Sequence, residues 1–354
     1  PLLDLIAGFK PDLLAFSTVS PQFIYVKQVL EALPDEHPPT ILGGQHATLC
    51  PSCLEETKNL DIICIGEGEY PTLELVEAIG DKKPIDNIQN LWIKKPDGTI
   101  NKNSSRPFIE DLDELPYPDR DIFDTQAIID SDFKTVLFMF SRGCPYKCSF
   151  CSNHALRKKQ DGKYVRFRSA DSCLKEIRDM TNKYEVEALY FNDDCFTVSK
   201  DFVKEFCEKY KAEFKFPFDI NARPESLSDE ICEMLADAGC RRVSIGLECG
   251  HEQFRKDVLK RAMTNERIIE AFASCKKYGL RTKSFNIVGF PGETAEIFEE
   301  TVKLNAKINP DSVIIGIFEP YPGTELADVC IDEKYIDPER AEDAFIGRTD
   351  TVLN

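Results

Sequence analysis

No stretch of the 354-residue chain stays apolar for the ~18–20 residues of a membrane-spanning helix. The first residues also lack the basic and apolar segments of a secretory signal. Basic charge is short: 44 Lys and Arg stand against 62 Asp and Glu, for a net charge of −18. That balance argues against a long nucleic-acid groove and offers no polybasic patch to an anionic membrane. A disulfide framework is missing too, because the 14 cysteines follow no short repeating spacing. Cytoplasmic localisation, with metal-binding or catalytic thiols, is the expectation. Most of these thiols need no special role. Cys64 lies in an apolar run and Cys207, Cys232 and Cys275 lie in helical patterns, where Cys behaves as a small hydrophobe. Because the chain starts at Pro1, a residue other than Met, its true N-terminus is expected to lie upstream.

What is present is a globular composition, 42% hydrophobic and 30% charged, and a length that predicts two domains or a barrel with an appendage. Residues 1–81 alternate short apolar strands (12–17, 40–44, 61–65) with helices (21–33, 70–79), the pattern of a doubly wound parallel sheet. Ligands of such sheets sit at the carboxyl ends of the strands, where Ser17, Gly43, Gly44, His46, Gly66 and Glu67 fall. Residues 82–133 are rich in proline and read as a β-hairpin and an irregular connector. A second series starts near 134 and runs to 330. Strands are expected at 135–141, 188–192, 217–221, 242–247, 282–290 and 312–318, and helices near 169–183, 199–212, 228–238, 265–278 and 293–308. Six βα units cannot close the eight-stranded barrel, so an open, partial TIM-type barrel follows. Residues 331–354 read as the start of a C-terminal extension.

The first barrel strand runs into Ser141-Arg-Gly-Cys144-Pro-Tyr-Lys-Cys148-Ser-Phe-Cys151. Three thiolates on one strand-end loop suit a soft metal centre. An iron–sulfur cubane takes four ligands, so three leave one iron open for chemistry. A zinc site completed by His154 or Cys173 is the plainer alternative, but structural zinc usually takes paired Cys-x-x-Cys halves, and no second half is visible.

The Cys-x-x-x-Cys-x-aromatic-Cys motif, with Phe150 as the aromatic, resembles that of the radical S-adenosylmethionine (SAM) enzymes, in the branch with an N-terminal cobalamin-binding domain. The resemblance extends over most of 135–325 and implies a partial (βα)6 barrel behind a Rossmann-like, partial cobalamin-binding sheet. It implies a [4Fe–4S] cluster on Cys144, Cys148 and Cys151, whose open iron chelates SAM. One electron then cleaves the sulfonium bond to methionine and a 5′-deoxyadenosyl radical. Further positions match the family's SAM pocket: Phe150 within the cysteine motif, Asp193 and Asp194 after the second strand, Arg223 after the third, Glu248 after the fourth, Arg261 before Met263-Thr264, and Gly289 after the fifth. Each also has a local reading, since Pro291-Gly292 makes a turn and Arg261 a helix-end charge. For cobalamin the matching positions are Ser17, Gly43, Gly44, His46, Gly66 and Glu67. The Asp-x-His-x-x-Gly motif of cobalt-ligating domains is absent, so His46 is read as a tail-pocket or capped loop histidine.

The resemblance implies methyl transfer to an unactivated carbon, or a related cyclisation or rearrangement, on a small-molecule substrate. An electron donor such as flavodoxin or ferredoxin is implied as well, with neither nucleic acid nor a membrane span. One alternative is a radical methylthiotransferase acting on tRNA, a class marked by extra cluster cysteines and a basic tail. The other is a zinc-stabilised, non-enzymatic binding module.

Overall fold

The computed structural model describes residues 2–336 and Leu353. The chain folds into two compact units. The first comprises 1–109, 147–163 and 319–354, and the second comprises 110–146 and 164–318. Most of the C-terminal extension expected at 331–354 lies outside the described residues.

The first unit is built on β1 (Leu14–Ser17), β2 (Thr40–Gly43), β3 (Ile62–Cys64), β4 (Leu91–Lys94) and β5 (Ile100–Lys102), in that spatial order. β1, β2 and β3 are parallel, with Ser17 opposite Gly43. Helices bury both faces of this sheet. Leu30, Leu42, Leu54 and Ile63 pack on one side, and Ile41, Ile62, Leu75 and Leu91 on the other. That double burial explains why the strands read as unbroken apolar runs. The hairpin assigned to a separate 82–133 region is part of this sheet, because β4 pairs antiparallel with β3. Leu91 and Ile93 alternate onto the buried face, and an antiparallel neighbour needs no crossover helix.

The second unit carries six parallel strands: β6 (Thr135–Phe138), β9 (Ala188–Phe191), β10 (Phe218–Ala222), β11 (Cys240–Glu248), β12 (Arg281–Val288) and β13 (Ser312–Ile317). They lie in sequential order with β6 and β13 at the edges, as an open barrel requires. Two short strands, β7 (Ser141–Arg142) and β8 (Arg166–Phe167), pair antiparallel and flank the cysteine loop in sequence. Sequence periodicity missed them because two residues are too few to show a period. The intervening helices start at hydroxyl N-caps: Ser169, Ser199, Ser228, Thr264 and Thr294 each accept a backbone N–H of the first turn. The core on the helix side is aromatic. Phe191 packs edge-on to Phe206 at 5.2 Å and tilted against Phe218 at 4.9 Å. This packing fixes where each strand ends, and the chemistry-bearing side chains lie at those ends.

Candidate functional site

β9 ends in Asn192-Asp193-Asp194, and the zigzag of an extended chain sends alternate residues to opposite sides. Asp193 is fully buried. Its Oδ1 accepts from Phe140 N at 2.9 Å and from both Ser141 N and Ser141 Oγ at 2.5 Å. Oδ2 finds no hydrogen-bond partner. Burial pushes this carboxyl up to about 6, although the Ser141 and Phe140 donors hold it down. Asp193 therefore clamps the chain that leads into the cysteine loop, whereas Asp194 is exposed. Cys144 is half-buried, and burial pushes its thiol up to about 12. The Tyr146 backbone N–H opposes that rise, Cys195 and Asp194 add to it, and Arg223 offsets it.

Arg223, just past β10, is nearly buried. Its guanidinium lies 3.7 Å from the centroid of the Tyr146 ring and is gripped by Glu225 at 2.7 Å. Burial alone would raise the Glu225 carboxyl, but Arg223 brings it below its ordinary value. At the end of β11, Glu248 takes φ = 68°, a left-handed conformation that a residue with a side chain rarely holds. The β11–β12 register shifts there, between Gly246 and Glu248. Its Oε1 lies 3.9 Å from Arg261 Nη1, and both side chains are largely shielded. Burial raises the Glu248 carboxyl, against the pull of Arg261 and Arg223. A Cβ on Gly246 would lie 2.5 Å from Glu248 Oε1, so any larger residue would push this carboxylate aside. Such strain held at a strand end is typical of binding sites. After β12, Gly289 turns at φ = 85° and its N–H donates to Glu293 Oε2 at 2.6 Å. A Cβ at Gly289 would meet nothing within 4 Å, so this turn faces open space.

In the first unit, Ser17 is exposed at the end of β1. Gly44 takes φ = 89°, and a Cβ there would lie 2.6 Å from Thr18 O, so any larger residue would strain the turn itself. Thr48 Oγ1 accepts from Gly66 N at 3.0 Å and donates to Gly44 O at 2.9 Å, which joins the two glycine turns. His46 faces the interior. Its ring stacks on Phe23 at 3.9 Å, its Nδ1 lies 3.1 Å from Ser20 Oγ, and burial lowers its pKa to about 4. Glu67 turns its carboxylate to Ile109 N at 2.8 Å. Cys148, Phe150 and Cys151 belong to this unit, and Cys144 to the other. Sequence reasoning passed over Tyr146, Glu225, Cys195 and Gln160. The first two had a signal, since Tyr146 sits inside the cysteine motif and Glu225 two residues beyond Arg223.

Three soft thiols at spacings of four and three form a donor set suited to an iron–sulfur cluster. The strained Glu248 with Arg261, and the open Gly289 turn, fit a polar, zwitterionic ligand such as SAM. For a corrinoid tail the β1–β2 edge fits: Ser17 is exposed, and a Cβ on Gly43 would meet nothing nearer than 3.9 Å.

Residues 138–304 match the model of the Radical SAM superfamily, and residues 1–76 match that of the B12 binding domain. Residues 138–304 thus form a radical SAM domain. The chain carries a B12-binding domain ahead of this radical SAM core, and the cofactors of this combination are a [4Fe–4S] cluster, SAM and cobalamin. The radical SAM domain sets aside the zinc-stabilised module. The chain is 28% identical over 334 residues to an uncharacterised methyltransferase of Pyrococcus horikoshii, a match spanning 93% of this chain and 72% of that protein. It is 30% identical over 334 residues to the anaerobic magnesium-protoporphyrin IX monomethyl ester cyclase of Rubrivivax gelatinosus, covering 91% of this chain and 59% of that one. The radical SAM fold is shared with the methyltransferase TsrM of Kitasatospora setae, solved with cobalamin and a [4Fe–4S] cluster bound. The TM-score is 0.72 at 17% identity, over 91% of this chain and 67% of that one. Among the described residues no helix is long and apolar enough to cross a membrane.

Proposed function

We propose that this radical SAM protein is a cobalamin-dependent methyltransferase acting on an unactivated carbon of a small molecule. The observation that carries this reading is the pairing, in one chain, of a three-thiol strand-end loop with a B12-binding domain. When bound, the cluster supplies the electron for reductive cleavage of SAM, and cobalamin supplies a methyl carrier. Cys144, Cys148 and Cys151 would hold the cluster, and Phe150 would help bind SAM. Asp194, exposed at the end of β9, suits the amino group of SAM, and Arg261 suits its carboxylate. Glu248 suits the ribose hydroxyls, and the open Gly289 turn leaves room for adenine. Arg223 orients Tyr146 of the loop, and Asp193 fixes the backbone just before it. Ser17, Gly43 and Gly44 would line the corrinoid tail. A net charge of −18 favours a small-molecule substrate over nucleic acid. The electron would come from a carrier such as flavodoxin or ferredoxin.

The names of the relatives support methyl transfer and cyclisation alike, and one experiment separates them. The full chain is reconstituted anaerobically with iron and sulfide, reduced, and supplied with SAM with or without cobalamin. Formation of both 5′-deoxyadenosine and S-adenosylhomocysteine, the latter only with cobalamin, is the expected result. 5′-Deoxyadenosine alone would point to cyclisation or rearrangement. Zinc in place of iron, with neither product, would overturn the reading.

A further inference from the structure

The segment that follows the cysteine motif packs with the B12-binding sheet. Residues 147–163 belong to the first unit although they interrupt the sequence of the second. Hydrogen bonds attach this segment there. Ser152 Oγ lies 3.3 Å from Gln45 Oε1, and Phe108 N donates to Asp161 O at 2.8 Å. Gln160 makes two more: its Oε1 accepts from Glu67 N at 2.9 Å, and its Nε2 donates to Arg106 O at 2.9 Å.

Ser152 reaches Gln45 beside the Gly44 turn, and Gln160 reaches the Gly66–Glu67 turn. Gln160 is 8% exposed. A Cβ on Gly66 would fall 2.1 Å from its Oε1, so the glycine is the complement of this side chain. Gly66 N in turn donates to Thr48 Oγ1, which donates to Gly44 O. A continuous hydrogen-bonded path thus runs from the cysteine segment through Gln160 and the Gly66–Glu67 turn to Gly44, beside the β1–β2 edge.

We propose that Gln160 is a positioning residue that latches the segment bearing Cys148 and Cys151 to the Gly44 and Gly66 turns, so that cluster loading and corrinoid binding are thermodynamically linked. The proposal rests on the cofactor reading above. Loading the cluster orders Cys148 and Cys151. The latch passes that order to the turns, which then lose less freedom when the corrinoid tail arrives. Linkage is reciprocal, so corrinoid binding must favour cluster retention by the same factor. Two neutral hydrogen bonds limit the effect to roughly tenfold.

The test is a hydroxocobalamin titration of the full chain, followed by visible absorbance, with and without the reconstituted cluster. Wild type is expected to bind several-fold tighter when the cluster is loaded. Gln160→Ala is expected to reduce that difference, the Ser152–Gln45 contact remaining, while still binding the corrinoid. Gln160→Glu keeps the acceptor for Glu67 N and loses the donor to Arg106 O, so it is expected to retain part of the difference and covers the case in which the alanine variant does not fold. Asn101→Ala, on the hairpin, is expected to behave as wild type. Equal affinity in both wild-type forms, or an undiminished difference in both Gln160 variants, would overturn the latch and leave the cofactor reading intact. Absence of corrinoid binding by wild type would overturn the cofactor reading, and the latch with it.

Discussion

The guanidinium of Arg223 lies 3.7 Å from the centroid of the Tyr146 ring, in the middle of the cysteine motif. The contact ties the end of β10 to the loop after β7, and Glu225 holds the guanidinium in place at 2.7 Å. A cation over an aromatic face at a desolvated site contributes about 1–2 kcal/mol. Tyr146→Leu is expected to destabilise the full chain by that amount in urea unfolding, and Tyr146→Phe by much less. In a double-mutant cycle with Arg223→Met, the two losses should be less than additive. Additive losses would show that the stacking carries no energy.

The Glu248–Arg261 pair gives a second prediction. Removing a charged hydrogen-bond partner typically costs ~1.5–3 kcal/mol, or roughly ten- to a hundredfold in affinity. Glu248→Gln and Arg261→Met are expected to weaken SAM binding to that extent, measured by calorimetry on the reconstituted protein, with iron content unchanged. Gly246→Ala should weaken it as well, because its methyl group would lie 2.5 Å from Glu248 Oε1. Wild-type affinity in all three variants would place the pocket elsewhere.

Asp193 predicts a pH dependence of stability. Its carboxyl titrates near 6 in the folded chain, raised chiefly by burial, against an ordinary value of 3.8. Between those values the folded protein holds a proton that the unfolded chain has released. Ionisation therefore subtracts stability as pH rises from about 4 to 6, and the full deficit persists above that. Asp193→Asn keeps an oxygen for Phe140 N, Ser141 N and Ser141 Oγ and removes the buried charge. The variant is expected to unfold at higher urea than wild type at pH 7.5, by an amount on the order of 3 kcal/mol, and to match it near pH 4. A variant less stable than wild type at pH 7.5 would show that the charged form is the one the site stabilises.

Local sequence pattern determined a good deal. Strand-like segments alternating with helical periods gave six parallel strands, because each crossover helix returns the chain in the same direction. Cysteines at spacings of four and three identified the donor loop, because ligand chemistry depends on residue type and reach. Tertiary structure alone decided which member of Asn192-Asp193-Asp194 turns inward, because the choice depends on the Phe140 and Ser141 donors across the sheet. It also decided that His46 stacks on Phe23, that the 91–102 hairpin extends the first sheet, and that Gly66 makes room for Gln160. These pairings join residues far apart in sequence. A periodicity records which face of an element is buried, but the partner it meets there depends on how the whole chain packs.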